Sequence, residues 1–284
     1  MNNLSGQLEK AKAFHQLHFE DKPLILPNVW DELGAMLLSE MAYKTVATSS
    51  SAVAQSQGYP DGEKLPFELL LNRLRSIVQA VNIPVSADVE SAYAHTDSEL
   101  VKNINLLLDT GIVGINYEDS DKISGELIPA QEQVNKISLI RETAEKRGIP
   151  LFINARIDTY VHADHLNFEQ KLAETIQRAE LYKQAGANCV FPILMTDEKQ
   201  IRSLVSSVDL PVNIMIYKGI PDLKTLAEIG VRRISIGGAY LKYALQAMKN
   251  LAAKLQDLDG LADIFSVEIN SDAINKIIGQ RKFT

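Results

Sequence analysis

DSELVKNINLLLDTGIVGINYED, residues 97–119, decides the fold. It opens as a stretch with helical periodicity, stops at Gly111, and becomes a short apolar run that ends in Glu118 and Asp119. A helix, a glycine just past its end and a strand without polar alternation form one unit of an alternating α/β chain. The same order recurs along the sequence. Strands are predicted at 24–29, 45–50, 83–90, 113–119, 151–158, 189–194, 211–216 and 233–238. Gly148, Gly186 and Gly230 close further helices, and three strands open after NIP, GIP or DLP, where proline cannot continue a helix. Strands apolar on both faces are those of a parallel sheet covered by helices, and eight such units predict a single (β/α)8 TIM barrel.

The length of 284 residues allows one large domain or two smaller ones, and no linker or low-complexity run divides the chain before about residue 256. Residues 1–256 are therefore expected to form the barrel. Residues 257–284 form a C-terminal extension, with more apolar side chains than a free terminus needs, packed on the barrel or on a partner subunit. The net charge of −7 is spread without a basic stripe, so nucleic acid is not an expected partner. No stretch reaches the apolar length of a membrane span and the N-terminus lacks a signal-peptide core, so a cytoplasmic protein is expected. The single cysteine, Cys189, excludes an intrachain disulfide and reads as a buried small hydrophobe.

Charge is rare inside buried parallel strands, so charges at their ends need a reason. Asp88 and Glu90 end strand 3, Glu118 and Asp119 end strand 4, Arg156 and Asp158 end strand 5, and Asp61 follows strand 2 in GYPDG. These are C-terminal strand ends, the face on which barrel enzymes carry their chemistry. Carboxylates crowded together need a cation, and oxygen-only ligands favour Mg²⁺ or Mn²⁺. Asp88 is the candidate direct ligand, with Asp61, Glu90 and Glu118 acting through water. Arg156 would fork on to a substrate carboxylate, and Thr48, Ser49 and Ser50 offer hydroxyls and turn N–H groups to the same anion. Metal, arginine and hydroxyls together describe a small 2-oxo acid whose enolate is stabilised in the site.

TSS…GYPD, ADVESAY, YED and ARIDTY, in this order on strands 2 to 5, make the chain similar to the isocitrate lyase/phosphoenolpyruvate mutase superfamily. The resemblance runs from PNVWD to strand 8. It implies a Mg²⁺-dependent barrel that makes or breaks C–C or P–C bonds beside an oxyacid, in tetramers (dimers of dimers) whose C-terminal helices swap between subunits. By motif it implies Asp88 as metal ligand, Asp61, Glu90 and Glu118 around its waters, and Thr48, Ser49, Ser50 and Arg156 on substrate. Lyases of the family carry Lys-Arg-Cys-Gly-His on a gate after strand 4. Here the loop is Lys122-Ile123-Ser124-Gly125-Glu126, keeping lysine and glycine but not the cysteine. Ile193 replaces the lyases' glutamate at the end of strand 6, and Asn213 on strand 7 could reach the mouth. Asp61, Glu118, Arg156 and Lys122 are thus the expected catalytic side chains, and Thr48, Ser49, Ser50, Arg156 and Asn213 the substrate contacts. A serine hydroxyl cannot stand in for a thiol, so a methylisocitrate-type lyase is not expected.

The expected activity is a Mg²⁺-dependent lyase or decarboxylase of a small 2-oxo or 2-hydroxy carboxylic acid. The alternatives are a mutase or hydrolase of the phosphonopyruvate P–C bond, and a non-catalytic barrel used for binding. His162 and His165 read as a solvated loop, Gly237 and Gly238 as packing, and Lys218 shows no apolar surroundings that would make it a Schiff-base residue.

Overall fold

Each predicted apolar run forms a strand shorter than itself. The computed structural model describes residues 4–279; residues 1–3 and 280–284, the ends of the expected barrel and extension segments, lie outside the described residues. Strand β1 is Leu24–Leu26, broken at Pro27, which has no N–H for the ladder, and resumed at Asn28–Val29. Then come β2 (Val46–Thr48), β3 (Val85–Asp88), β4 (Gly114–Glu118), β5 (Phe152–Ile157), β6 (Cys189–Pro192), β7 (Asn213–Met215) and β8 (Arg233–Ser235). Every pairing is parallel and each strand pairs with its neighbour in sequence up to β6. A bridge between Val190 and Val212 joins β6 to the chain entering β7, β7 pairs with β8, and β8 pairs with β1. The ring is closed, as the strand pattern predicts. Ile193 falls just past β6 rather than ending it.

Where Pro27 interrupts the ladder, a side chain replaces it. Asn28 donates to the Thr48 carbonyl at 2.8 Å and accepts from the amides of Ile236 and Gly237 at 2.8 and 2.9 Å, tying β1 to its neighbours on both sides. A buried amide that bonds in three directions substitutes for backbone hydrogen bonds at little cost.

The helices are α1 (Leu4–Leu17), α2 (Glu32–Glu40), α3 (Ser50–Ser56), α4 (Phe67–Ala80), α5 (Asp97–Leu108), α6 (Ala130–Lys146), α7 (Thr159–His162), α8 (Phe168–Gln184), α9 (Glu198–Ser207), α10 (Leu223–Ile229), α11 (Ala239–Gln256), α12 (Leu261–Phe265) and α13 (Ser271–Gly279). Helix α1 was not expected from the sequence, and it closes the N-terminal end of the barrel. Its Phe14 and Leu17 cluster with Leu26, Ala47, Val113, Phe152 and Cys189. Gly114 is required here, because a Cβ would stand 2.7 Å from the Phe14 ring. Gln7 donates to the carbonyls of Leu108 and Ile112. Cys189 is fully buried, as expected, and burial pushes its thiol up to about 12.

After the barrel, α11 buries only Leu241, while Tyr243 and Met248 are exposed. The extension after residue 256 forms α12 and α13, and α13 turns back on to α2 of the same chain, burying Ile277. No helix among the described residues is long and apolar enough to cross a membrane.

His18 lies under the barrel, stacked on Phe152 with ring centroids 4.0 Å apart, and Nδ1 is 2.9 Å from the Phe14 carbonyl. Burial, then the nearby Arg233 charge, pushes its pKa down to about 3. The unfolded chain therefore takes up a proton that the folded chain refuses, and stability is lost as pH falls below about 6.5. Between pH 6.5 and 5 this amounts to about 2 kcal/mol. His18→Asn, which keeps a donor near the Phe14 carbonyl, is expected to be less stable at pH 7 but to lack this loss. Urea denaturation of both proteins at pH 7 and pH 5 checks it.

Candidate active site

The β2–α3 junction shapes the first part of the site. Ser49 is the N-cap of α3 and sits 3.0 Å from the Ser51 hydroxyl. Ser50, starting the helix, donates from its N–H (3.0 Å) and hydroxyl (2.7 Å) to one oxygen of Asp88. Thr48 accepts from the Asp88 amide at 3.0 Å, and Asn116 Nδ2 approaches the other carboxylate oxygen at 3.5 Å. Of the three hydroxyl residues expected on substrate, Ser50 and Thr48 hold Asp88, while Ser49 caps α3. This arrangement follows from a single residue, Ser49, separating the end of the strand from the start of the helix.

Glu90 stands on a turn with an unusual backbone. Glu90, Ala92 and Tyr93 have φ of 55°, 60° and 54°, in the left-handed region that costs an L-residue about 1–2 kcal/mol. Two side chains hold it. Glu63, itself at φ 58°, accepts through Oε1 from Ser91 N (3.0 Å), Ser91 Oγ (2.7 Å) and Tyr93 N (2.9 Å). Asn103 on α5 donates to the carbonyls of Ala92 and Tyr93, both at 2.9 Å. Neither was singled out in the sequence, because loop acids and helix asparagines are common on surfaces.

Glu118, 1% exposed, ends β4 beside two cations. Lys122 bridges it to Glu90, 2.8 Å from the Glu90 carboxylate, and Arg156 Nη1 lies 2.7 Å from its other oxygen. Arg156 is fixed by a two-pronged contact with Asp158, at 2.7 and 2.8 Å. Burial opposes the Glu118 charge, but Arg156 and Lys122 outweigh it and hold the carboxyl below its ordinary range. Glu90 is less well served: burial pushes it up to about 7 despite Lys122. Burial and the Asp88 charge likewise raise Asp61. Burial works against the Lys122 ammonium too, yet Glu118 and Glu90 raise it further, so it stays protonated.

Beneath this layer Asp119 accepts from the Asp158 amide (2.8 Å), from Arg178 (3.0 Å) and from the Tyr182 hydroxyl (2.7 Å). Helix α8 thereby anchors the ends of β4 and β5.

The loop after β4 is a tight turn. Asp121 accepts from the amides of Ile123 and Ser124, Gly125 takes φ 72°, and the Ser124 hydroxyl accepts from Glu126. Lys122 points into the site while Ser124 serves the turn.

Asp61, Asp88, Glu90, Glu118, Lys122 and Arg156 are therefore brought to one mouth, with Thr48, Ser49 and Ser50 at its edge. Asn213 is not: fully buried, it starts β7, two residues before Met215, and donates to Ser235 Oγ at 3.2 Å. His162 lies 3.9 Å from Asp158, and Lys218 is exposed. Gly237 packs against Met215, as expected of a packing glycine.

Among the described residues no group of three or more His, Cys, Asp or Glu is arranged to hold an ion directly. The acids still fit a small hard cation that keeps most of its water. Lys122 and Arg156 neutralise Glu90 and Glu118, whereas among the described residues no lysine or arginine forms an ion pair with Asp61 or Asp88. One direct carboxylate and others holding water is the arrangement Mg²⁺ accepts.

A family model for phosphoenolpyruvate phosphomutase matches residues 14–256. A solved structure from Burkholderia cenocepacia J2315, described provisionally as a phosphonomutase, is 36% identical, covers 88% of this chain and 99% of its own, and superposes with a TM-score of 0.81. Oxaloacetate decarboxylase 1 of Pseudomonas fluorescens is 24% identical over 95% of this chain and 92% of its own. A phosphonopyruvate hydrolase solved with oxalate and Mg²⁺ shares 19% identity, 95% of each chain and a TM-score of 0.82, a likeness of fold alone.

Removing the cation beneath the site should be costly. Arg178→Leu leaves Asp119 buried and without its ion pair, and breaking a buried pair on one side costs about 3–5 kcal/mol. A urea midpoint close to wild type would contradict this account of how β4 and β5 are anchored.

Proposed function

Because the chain belongs to the phosphoenolpyruvate phosphomutase family, we propose that it is a cytoplasmic Mg²⁺-dependent lyase or decarboxylase of a small 2-oxo carboxylic acid, with a 2-oxo diacid as the first candidate. The supporting observation is the pairing of an acid pair lacking an ionic partner, Asp61 and Asp88, with a guanidinium already oriented at the same mouth. Asp88 would hold the cation directly, with Asp61, Glu90 and Glu118 reaching it through water. Bound there, a divalent cation supplies a Lewis acid for the carboxylate and carbonyl of the 2-oxo acid.

The chain's own groups do the rest. Arg156 has five N–H donors, and its contacts with Asp158 and Glu118 leave up to two for a substrate carboxylate. Its pairing with Asp158 removes the freedom it would otherwise lose on binding. Lys122, held protonated, offsets negative charge on Glu90 and Glu118 and is a poor proton donor. In decarboxylation the bond between the β-carbon and its carboxylate breaks, the electron pair moves into the carbonyl as an enolate, and CO₂ leaves needing no proton. Carbon is protonated afterwards from water. This suits a loop whose serine caps its own turn and offers no acid.

The P–C reading comes second, favoured by the Burkholderia relative's description. The barrel of residues 1–256 would carry the chemistry, with residues 257–284 an extension packed on the barrel or on a partner subunit. The exposed apolar side chains of α11 support a homo-oligomer, a dimer of dimers in which this helix is exchanged between subunits. A monomer by light scattering at micromolar concentration would count against it.

Asp88→Ala is expected to abolish Mn²⁺ binding and turnover, and His162→Ala to change neither. Isothermal titration decides the first point, and unchanged affinity in the Asp88 variant would sink the assignment. Pyruvate release from oxaloacetate, set against pyruvate or phosphoenolpyruvate formed from phosphonopyruvate, with and without Mg²⁺, separates the two chemistries, and activity on neither would favour a binding role. Ser124→Ala should stay within a few-fold of wild type, since losing a general acid costs about 10²–10⁴.

A further inference from the structure

The turn that carries Glu90 holds three left-handed residues with side chains, in place of the glycines that such a backbone favours. Something must keep it there. Ala92 is fully buried, so it has no freedom to relax outward, and Tyr93 is kept in register by its ring against Phe67, with centroids 5.0 Å apart. Two amides of the turn and one hydroxyl converge on one atom, Glu63 Oε1, which accepts from Ser91 N, Ser91 Oγ and Tyr93 N, while the Ala92 amide donates to the Val89 carbonyl. The contact is reciprocal, because the Glu63 amide donates to Glu90 Oε1 at 3.0 Å. Glu90's other oxygen is the one that meets Lys122. Glu63 thus holds both the backbone under Glu90 and half of its carboxylate.

We propose that Glu63 is a positioning residue: it clamps the left-handed turn Glu90–Tyr93 and so keeps the Glu90 carboxylate aimed at Lys122 and the mouth of the barrel. It touches no reacting atom. Its effect is to hold in place a carboxylate whose turn would otherwise relax toward the ordinary φ of its residues. The proposal rests on Glu90 belonging to the site and deepens that reading, but it does not depend on which metal or substrate the site takes.

Four proteins test it: wild type, Glu63→Gln, Glu63→Ala, and Glu63→Ala with Ala92→Gly. The first readout needs no metal. Lys122 in metal-free protein is acetylated with an N-hydroxysuccinimide ester and its rate followed by peptide mass spectrometry. Held between Glu90 and Glu118, Lys122 should react slowly in wild type. Glu63→Gln keeps the accepting oxygen and should react within about twofold of wild type. Glu63→Ala should react about tenfold faster, the scale set by losing a hydrogen bond to a charged group. Ala92→Gly in that background should bring the rate back to within about threefold of wild type, because glycine adopts the left-handed backbone without strain. The second readout is Mn²⁺ affinity, expected to weaken in Glu63→Ala and recover in the double variant. A role in general stability would lower the urea midpoint of Glu63→Ala without such recovery. Lys122 labelling in Glu63→Ala equal to wild type overturns the proposal, and a fast rate that Ala92→Gly does not correct overturns the role of the strained turn. Should Glu63→Ala not fold, Glu63→Asp, whose shorter side chain withdraws the accepting oxygen from the turn, takes its place with the same expected and overturning rates. Absence of Mn²⁺ binding by every variant, wild type included, defeats the metal reading while the labelling result still decides this one.

Discussion

Four carboxylates, those of Asp61, Asp88, Glu90 and Glu118, share one end of a barrel where water is scarce, and their mutual repulsion is the constraint that organises what surrounds them. Two cations answer half of it. Lys122 and Arg156 sit against Glu118, and Lys122 reaches across to Glu90. Each cation is itself half-buried and therefore needs its acids as much as they need it, so neither partner can leave cheaply. The other half of the problem, Asp61 facing Asp88, is met by hydrogen bonds from Ser50 to Asp88 rather than by an ionic partner. A site balanced in this way is ready for one more positive charge and no more negative ones, unless the two arrive together.

The supporting structure follows from that balance. Asp158 fixes Arg156, and Asp119 fixes the backbone of Asp158 through its amide. Asp119 in turn rises to about 6 because burial and Asp158 act on it before Arg178 can compensate. Each acid drawn into the interior brings a further donor with it, from Lys122 at the surface to Arg178 and Tyr182 on α8. Charge, not apolar packing, decides where β4 and β5 end.

How much of this was legible depends on range. Strands and their order were readable because glycine and proline punctuate the chain locally, and charges at strand ends were readable because buried parallel strands exclude them. Strand lengths were not, since side chains such as Ser49 and Asn28 take over the hydrogen bonding near the ends and only tertiary contacts show where. Ser50 was read as a substrate contact, and its hold on Asp88 was not legible, because a hydroxyl at a strand end looks the same in either role. Asn213 was read as able to reach the mouth, but it starts β7, two residues before the strand's end, and is fully buried. Glu63 was invisible: its partners lie about thirty residues away and are backbone amides, which leave no trace in residue type.

Helix α1 has a consequence for the order in which the chain can assemble. It emerges before the segments it packs on, for Gln7 finds its acceptors 101 and 105 residues later and Phe14 packs on Phe152. Closure of the ring is more remote still, with Asn28 meeting Ile236 and Arg232 meeting Glu20 across 208 and 212 residues. Contacts of that separation must overcome the entropy of closing very long loops before they stabilise anything. The base of the barrel is therefore sealed by a segment that has to wait for nearly the whole chain. The apolar face of α1 waits for Phe152 and Cys189 and the open edge of β1 waits for β8, which leaves these early segments of the nascent chain exposed to misassociation.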